Sequence, residues 1–446
     1  MTTSSAAERL RQENQKKAEE ARKRTGRSPE ELYEEREKRV REAIQLREPD
    51  RVPVRLELSY FPARYVGLPK SAAYYDPAAW KEALKKTTLD FEPDVWFLGG
   101  GGPGAALEVL DPKHLKWPGG NLPADTSHQA IEQEYMKEDE YDLFLDDPTD
   151  FTLRYLLPRG YGALAPLSMI PSLSDRFTAF PGITPLFTKS EFRELARTLL
   201  KAGQAQGTYD KITGDFDEEM ARLGFPAYSH GGGAGGAPFD LISDRYRGMR
   251  GAMTDMYRCP DKLLAAGDKV LAWRRKAARP ADPAKRGNPK RVFVALHRGA
   301  EGFMSRKQFE KFYWPGLKRA LLSTIDLGIV PMVFCEGKYG DRLEYFLELP
   351  KGKAVCHFDL TDMFRAKEVL RDHICITGNV PSPLLQIGSV QEVEEYCKNL
   401  IKVCGKGGGF ILTHGSSIDQ ANPANIKAMV DSVKKYGANW LTAEEK

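Results

Sequence analysis

The fold turns on Gly408-Gly409-Phe410-Ile411-Leu412-Thr413-His414-Gly415-Ser416-Ser417-Ile418. A glycine turn launches a short apolar run that stops abruptly at His414, the pattern of a buried strand delivering an imidazole at its C-terminal end. The next segment has Pro423 in a first helical turn and Asn425, Ile426, Met429 and Val433 at helical spacing, which predicts a helix behind the strand. Parallel α/β proteins keep their chemistry at such strand-to-helix junctions. A lone histidine also has a structural reading, buried and bonded to a backbone carbonyl. The earlier strands weigh against it, because they end in the same way.

Moving back along the chain, Val292-Phe-Val-Ala-Leu296 ends at His297-Arg298-Gly299 and Val330-Pro-Met-Val-Phe334 ends at Cys335-Glu336-Gly337. Ala354-Val-Cys-His-Phe358 ends at Asp359, and Cys375-Ile-Thr377 ends at Gly378-Asn379-Val380-Pro381. With strands near residues 52, 95 and 225 the count reaches eight, each followed by a helix or a helix-bearing insertion. That predicts an α/β protein, a (β/α)8 TIM barrel, with its active site at the strands' C-terminal ends. His297, Glu336, Asp359, Asn379 and His414 should then converge on one rim. Cys335 and Glu336 are neighbours on a strand and point to opposite faces, so at most one ligates a metal. Asp359 has a structural alternative as a helix cap, with Asp362 nearby, and His357 one of facing the surrounding helices.

Residues 1–48 are expected to form a charged helical extension, solvated or disordered to about residue 27. A firm helix then starts at Ser28-Pro29-Glu30-Glu31, where a capping box is possible. The barrel should occupy 49–446, with a large insertion over one rim at about 104–224. The tract Gly231-Gly-Gly-Ala-Gly-Gly236, leading to Asp240, leaves backbone N–H groups free to line a cavity and bind an anion. A plain flexible loop weighs equally, and no Gly-Lys-Ser/Thr follows to make a phosphate loop of the Walker type. Over 446 residues the net charge is only +4, which is no nucleic-acid footprint. No apolar run approaches the roughly twenty residues of a membrane span, and the charged N-terminus is not built like a signal peptide. A cytoplasmic protein is expected, with six scattered cysteines, no Cys-x-x-Cys pair and no demand for a particular oligomer, a homodimer included.

These residues resemble the uroporphyrinogen decarboxylase superfamily, which joins a haem-pathway decarboxylase to barrel methyltransferases. The resemblance is carried by Gly299, Phe303-Met-Ser305, Phe309, Phe312 and Pro315, then Gly378-Asn379-Val380-Pro381, then Leu412-Thr413-His414-Gly415 with Pro423-Ala424-Asn425-Ile426. The decarboxylase's two-arginine first-strand motif survives only as Ala63-Arg64-Tyr65, and Leu296-His297-Arg298 replaces its Phe-Asp-Ser. The His-x-Cys and later Cys that hold zinc in thiol-alkylating members are reduced here to Cys335 and to His414-Gly415-Ser416-Ser417. The resemblance therefore implies a methyltransferase that moves a methyl group from a small methylated compound to a corrinoid protein. The corrinoid rides on that partner, since this chain has no Asp-x-His-x-x-Gly signature.

On that reading His414, Glu336, His297 and Asp359 are the catalytic candidates. Glu336, His414 and Cys335 are the candidates for a rebuilt zinc site. Arg64, Gly232, Gly233, Asp240, Tyr246, Arg247, Arg298 and Asn379 would bind substrate or cofactor. A decarboxylase of a tetrapyrrole or other carboxylate, and a non-catalytic corrinoid- or porphyrin-binding barrel, are the alternatives.

Overall fold

The computed structural model describes residues 3–172 and 181–438. Residues 173–180 of the expected insertion and 439–446 at the C-terminus lie outside the described residues. The fold is mixed α/β. Strands β1 (Arg55–Leu58) and β2 (Val95–Leu98) pair in parallel, and β3 (Leu115–Lys116) and β4 (Gln129–Ala130) form a small antiparallel hairpin. β5 (Lys290–Leu296), β6 (Ile329–Cys335), β7 (Val355–Phe358), β8 (Cys375–Val380) and β9 (Phe410–His414) make one five-stranded parallel sheet in chain order. Parallel neighbours need a crossover, and helices such as Trp314–Asp326, Met363–Leu370 and Val390–Cys404 supply it.

Backbone contacts join the two parallel sheets at both ends. At one, Val54 bridges Leu412 and the Leu412 N–H donates to the Pro53 carbonyl at 2.9 Å. At the other, Ala227 bridges Trp96 and the His230 N–H donates to the Arg291 carbonyl at 2.7 Å. The strand expected near residue 225 is thus reduced to a bridge. Pro226 has no N–H to give a ladder, and Gly231, Gly232 and Gly233 follow at φ of 75°, 87° and 81°, outside the extended range.

Side chains alternate along each strand. Val330 and Met332 of β6, Val355 of β7, Cys375 of β8 and Ile411 of β9 share one apolar cluster with Val95 and Tyr228. Leu296, Cys335, Phe358, Phe410 and Leu412, on the other parity, belong to the larger core that the helices cover.

The N-terminal segment is more integrated than its composition suggests. Helix α1 (Thr3–Thr25) packs on the helix Pro77–Phe91, burying Leu10 and Asn14, whose Nδ2 donates to the Glu82 carbonyl and carboxylate, each at 2.9 Å. Helix α2 (Pro29–Ile44) has the expected capping box at Ser28 and Glu31. Its Val40, Ala43 and Ile44 join the inner cluster at the strands' N-terminal ends. Glu37 of α2 is 2% exposed and receives two 2.9 Å bonds from the guanidinium of the fully buried Arg291 on β5. Breaking such a buried pair costs about 3–5 kcal/mol. No helix among the described residues is long and apolar enough to cross a membrane.

Candidate active site

Beyond the C-terminal ends of β5 and β6 lies a cavity of about 520 Å³. Continuing the alternation of β5 and β6 by one residue past each strand brings His297 and Glu336 onto the inward parity, and both line it. The insertion supplies the facing wall, with His114, His128, Ile131 and Glu132.

His297 is held by Asp244, which lies between the expected binding residues Asp240 and Tyr246 and was not itself expected at the site. The helix Pro238–Ile242 runs into a wide π-helical turn, Ser243–Arg247, a local distortion common at functional sites. Asp244 on that turn places Oδ2 2.5 Å from His297 Nδ1, and Arg298 donates to Asp244 Oδ1 at 3.1 Å and to Ser243 Oγ at 3.0 Å. The bond to Asp244 raises the His297 pKa above its ordinary value, against the effect of burial. Burial raises the Glu336 carboxyl, and nearby Asp359 adds to the shift. The two groups therefore hold protons to higher pH than exposed counterparts, as a pair built for acid–base work does.

Behind them, Asp240 fixes the strand end. It accepts from the His297 and Arg298 N–H groups at 3.0 and 2.9 Å and from the Tyr313 hydroxyl at 2.6 Å. It is a buried anchor and not a pocket wall. Asp359 also has the inward parity, and burial raises its pKa. The helix after it is capped by Asp362, which accepts from the Phe364 and Arg365 N–H groups, so Asp359 is free of that duty. Asn379 clamps the loop, its Nδ2 donating to the Asp359 and Thr361 carbonyls at 3.0 and 2.9 Å.

His414 does not join the rim. It shares the parity of Phe410 and Leu412, and both ring nitrogens are engaged: Nδ1 donates to the Ser416 carbonyl at 2.5 Å and Nε2 accepts from the Glu57 N–H at 3.3 Å. Burial, with the charge of Arg55, pushes its pKa down to about 3. His357, expected to face the helices, has the inward parity instead. Its Nε2 donates to the His414 carbonyl at 2.9 Å and its Nδ1 accepts from Arg55 at 3.1 Å. Arg55 in turn lies 4.5 Å over the Tyr228 ring and 3.7 Å from Glu57.

Glu336, His414 and Cys335 therefore do not converge as a zinc donor set. Cys335 is fully buried on the opposite parity to Glu336, and His414 has no free nitrogen. Among the described residues no group of three His, Cys, Asp or Glu side chains is arranged to hold a metal ion.

The remaining expected binding residues also sit elsewhere. Gly232 and Gly233 lie against Ile329, Thr324 and Val292 near the starts of β5 and β6, so close that an added Cβ would meet Ile329 and Thr324 at 3.0 Å and Val292 at 3.3 Å. Tyr246 is buried, and its carbonyl accepts from the Tyr135 and Met136 N–H groups. Arg247 is buried in ion pairs with Asp255 and Glu134, tying the insertion to the helix Gly248–Arg258. Arg64 is exposed and bonds Gln420 Oε1 at 3.1 Å. Of that set only Arg298 lines the cavity.

Residues 231–436 match the family model described as uroporphyrinogen decarboxylase (URO-D). A methyltransferase from Methanosarcina mazei has a similar structure, with a TM-score of 0.54 at 15% sequence identity, covering 90% of this chain and 98% of that one. At such identity the likeness carries the fold and not the activity. No curated protein matches by sequence. The family match starts at the glycine tract, takes in β5 to β9 with His297 and Glu336, and stops at the end of the helix Pro423–Tyr436; over those residues this chain is similar to the uroporphyrinogen decarboxylase family.

Proposed function

We propose that the protein is a methyltransferase that passes a methyl group from a small O- or N-methyl compound to a corrinoid carried by a separate protein. The observation that carries the reading is the pairing of Glu336 with the Asp244-held His297 on one wall of a single cavity. Demethylating an ether or amine needs a proton for the departing heteroatom. In this reading Glu336 gives that proton as the bond from carbon to heteroatom breaks with its electron pair on the heteroatom. His297, turned by Asp244 so that Nε2 faces the cavity, stabilises the charge that develops there. The reduced corrinoid supplies the nucleophile that accepts the methyl group. We read the eight strand positions as a closed (β/α)8 barrel, supported by the bridges at Val54 and Ala227. A cytoplasmic setting is supported by six free cysteines.

A decarboxylase of a polycarboxylate is the weaker reading. Three carboxylates, Glu132, Asp244 and Glu336, line the cavity with only two arginines, and Arg298 is already tied to Asp244. The test is methylation of cob(I)alamin by the purified protein with an aryl methyl ether, methanol or methylamine as donor. Spectral conversion with the wild type and its loss in His297→Ala and Glu336→Gln are expected. No conversion with any of these donors would sink the proposal.

A further inference from the structure

The charges around the cavity do not balance evenly. Asp244 is matched by His297 at 2.5 Å and Arg298 at 3.1 Å, and Glu132 by Arg298 at 3.6 Å and the Met249 N–H. Arg245, next to Asp244 on the π-helical turn, lines the cavity and is exposed. Among the described residues no carboxylate lies within ion-pair distance of it and no acceptor takes its N–H groups. Its charge reaches the insertion wall, where it adds to burial in lowering the His114 pKa, and it acts on Tyr135, whose buried hydroxyl has no partner. His128 stands on the same wall. Its Nδ1 lies 2.8 Å from the Tyr60 hydroxyl, itself 2.9 Å from the Tyr74 hydroxyl, so the ring is oriented and Nε2 remains for a ligand. The segment carrying it is stapled down, with Ser127 Oγ donating to Asp419 at 2.6 Å and Lys70 donating to Ser127 at 2.7 Å. The cavity thus has a proton-holding end at Glu336 and His297 and an uncompensated guanidinium flanked by imidazoles.

We infer that the methyl donor is a small anion, with a carboxylate held by Arg245 while its methylated heteroatom meets Glu336 and His297. A free guanidinium recognises a carboxylate through two parallel N–H bonds, stronger than neutral contacts. A cavity of about 520 Å³ has room for one substituted ring. The inference rests on the proposed function only in taking this cavity as the substrate's, and its test is a binding measurement made without corrinoid.

Calorimetry compares para-methoxybenzoate and methoxyacetate with their neutral amides, on wild type, Arg245→Gln, Arg245→Lys and Glu336→Gln. We expect at least one acid to bind the wild type tenfold or more tighter than its amide. Arg245→Gln should erase that preference, Arg245→Lys should keep part of it, and Glu336→Gln should leave it in place. Equal binding of acid and amide by the wild type, or a preference that survives Arg245→Gln, overturns the inference. An acid preference without methylation of cob(I)alamin would count against the methyl-transfer reading and leave anion recognition standing. Methylation of neutral donors alone, without acid binding, would do the reverse.

Discussion

β5 and β9 both lead to a histidine at the strand's C-terminal end, and the two imidazoles meet opposite fates. His297 follows the last residue of β5, takes the inward parity and keeps a side chain 40% exposed, with a carboxylate behind it. His414 is the last residue of β9, takes the parity of Phe410 and Leu412, and spends both nitrogens on backbone. One residue of phase separates them. A strand end delivers a side chain to the mouth only if its alternation also aims it there.

The sharpest way to break this comparison is to remove each imidazole in turn. His297→Ala should cost turnover about a hundred- to ten-thousand-fold, the range for a positioned acid–base group, and hardly move the melting temperature. Measured the same way, His414→Ala should keep turnover per folded molecule within a few-fold while lowering the melting temperature. The reverse pattern would mean that the β9 histidine is the chemical one. Next in size, Glu336→Gln should lower turnover about a hundredfold. With Glu336 intact, activity should fall as pH rises through a titration above its ordinary value of 4.5. The glutamine variant should lack that limb of the pH profile.

The comparison can be sharpened thermodynamically. His414 titrates near 3 when folded against 6.5 in a free chain, so between those values the unfolded protein binds a proton that the folded one does not. Its contribution is complete above 6.5 and is lost as the pH falls toward 3, at up to about 1.4 kcal/mol per pH unit. Denaturant titrations across that window should show a shallower slope for His414→Gln, whereas an unchanged slope would refute a buried neutral ring. The smallest effect is expected of Asn379→Ala. Two carbonyls of the Asp359 loop lose their donor, lowering stability by about 1–3 kcal/mol and turnover less than tenfold.

Strand positions from β5 onward were legible because each apolar run is bounded by glycine or a polar residue, and helix α2 because Ser28, Pro29 and Glu31 make a complete start signal. The parity of β9 was legible too: Phe410, Leu412 and His414 alternate with Ile411 and Thr413. The rule that separated Cys335 from Glu336 would have separated His414 from the mouth. Arg55 and Glu57, alternating with Leu56 and Leu58, carried the same signal. Asp244, Arg245, His114 and His128 gave no such sign. They stand on a π-helical turn and in an irregular insertion, where no period relates a residue to the face it occupies, and long-range packing alone brings them to the cavity. The glycine tract misled for a related reason. Missing side chains announce a close approach, and here what approaches is Thr324 and Ile329 of the protein itself.

The clamp between Glu37 and Arg291 also sets a schedule. Its partners are 254 residues apart in the chain, so during synthesis at ~5–20 residues per second the carboxylate on α2 waits on the order of tens of seconds for its guanidinium. Until β5 has been made, α2 can form as a helix but cannot settle into the protein's interior. The segment translated early is therefore among the late ones to lock. A nascent chain stopped before Arg291 should offer α2 to proteases and chaperones, and one released after β5 should not.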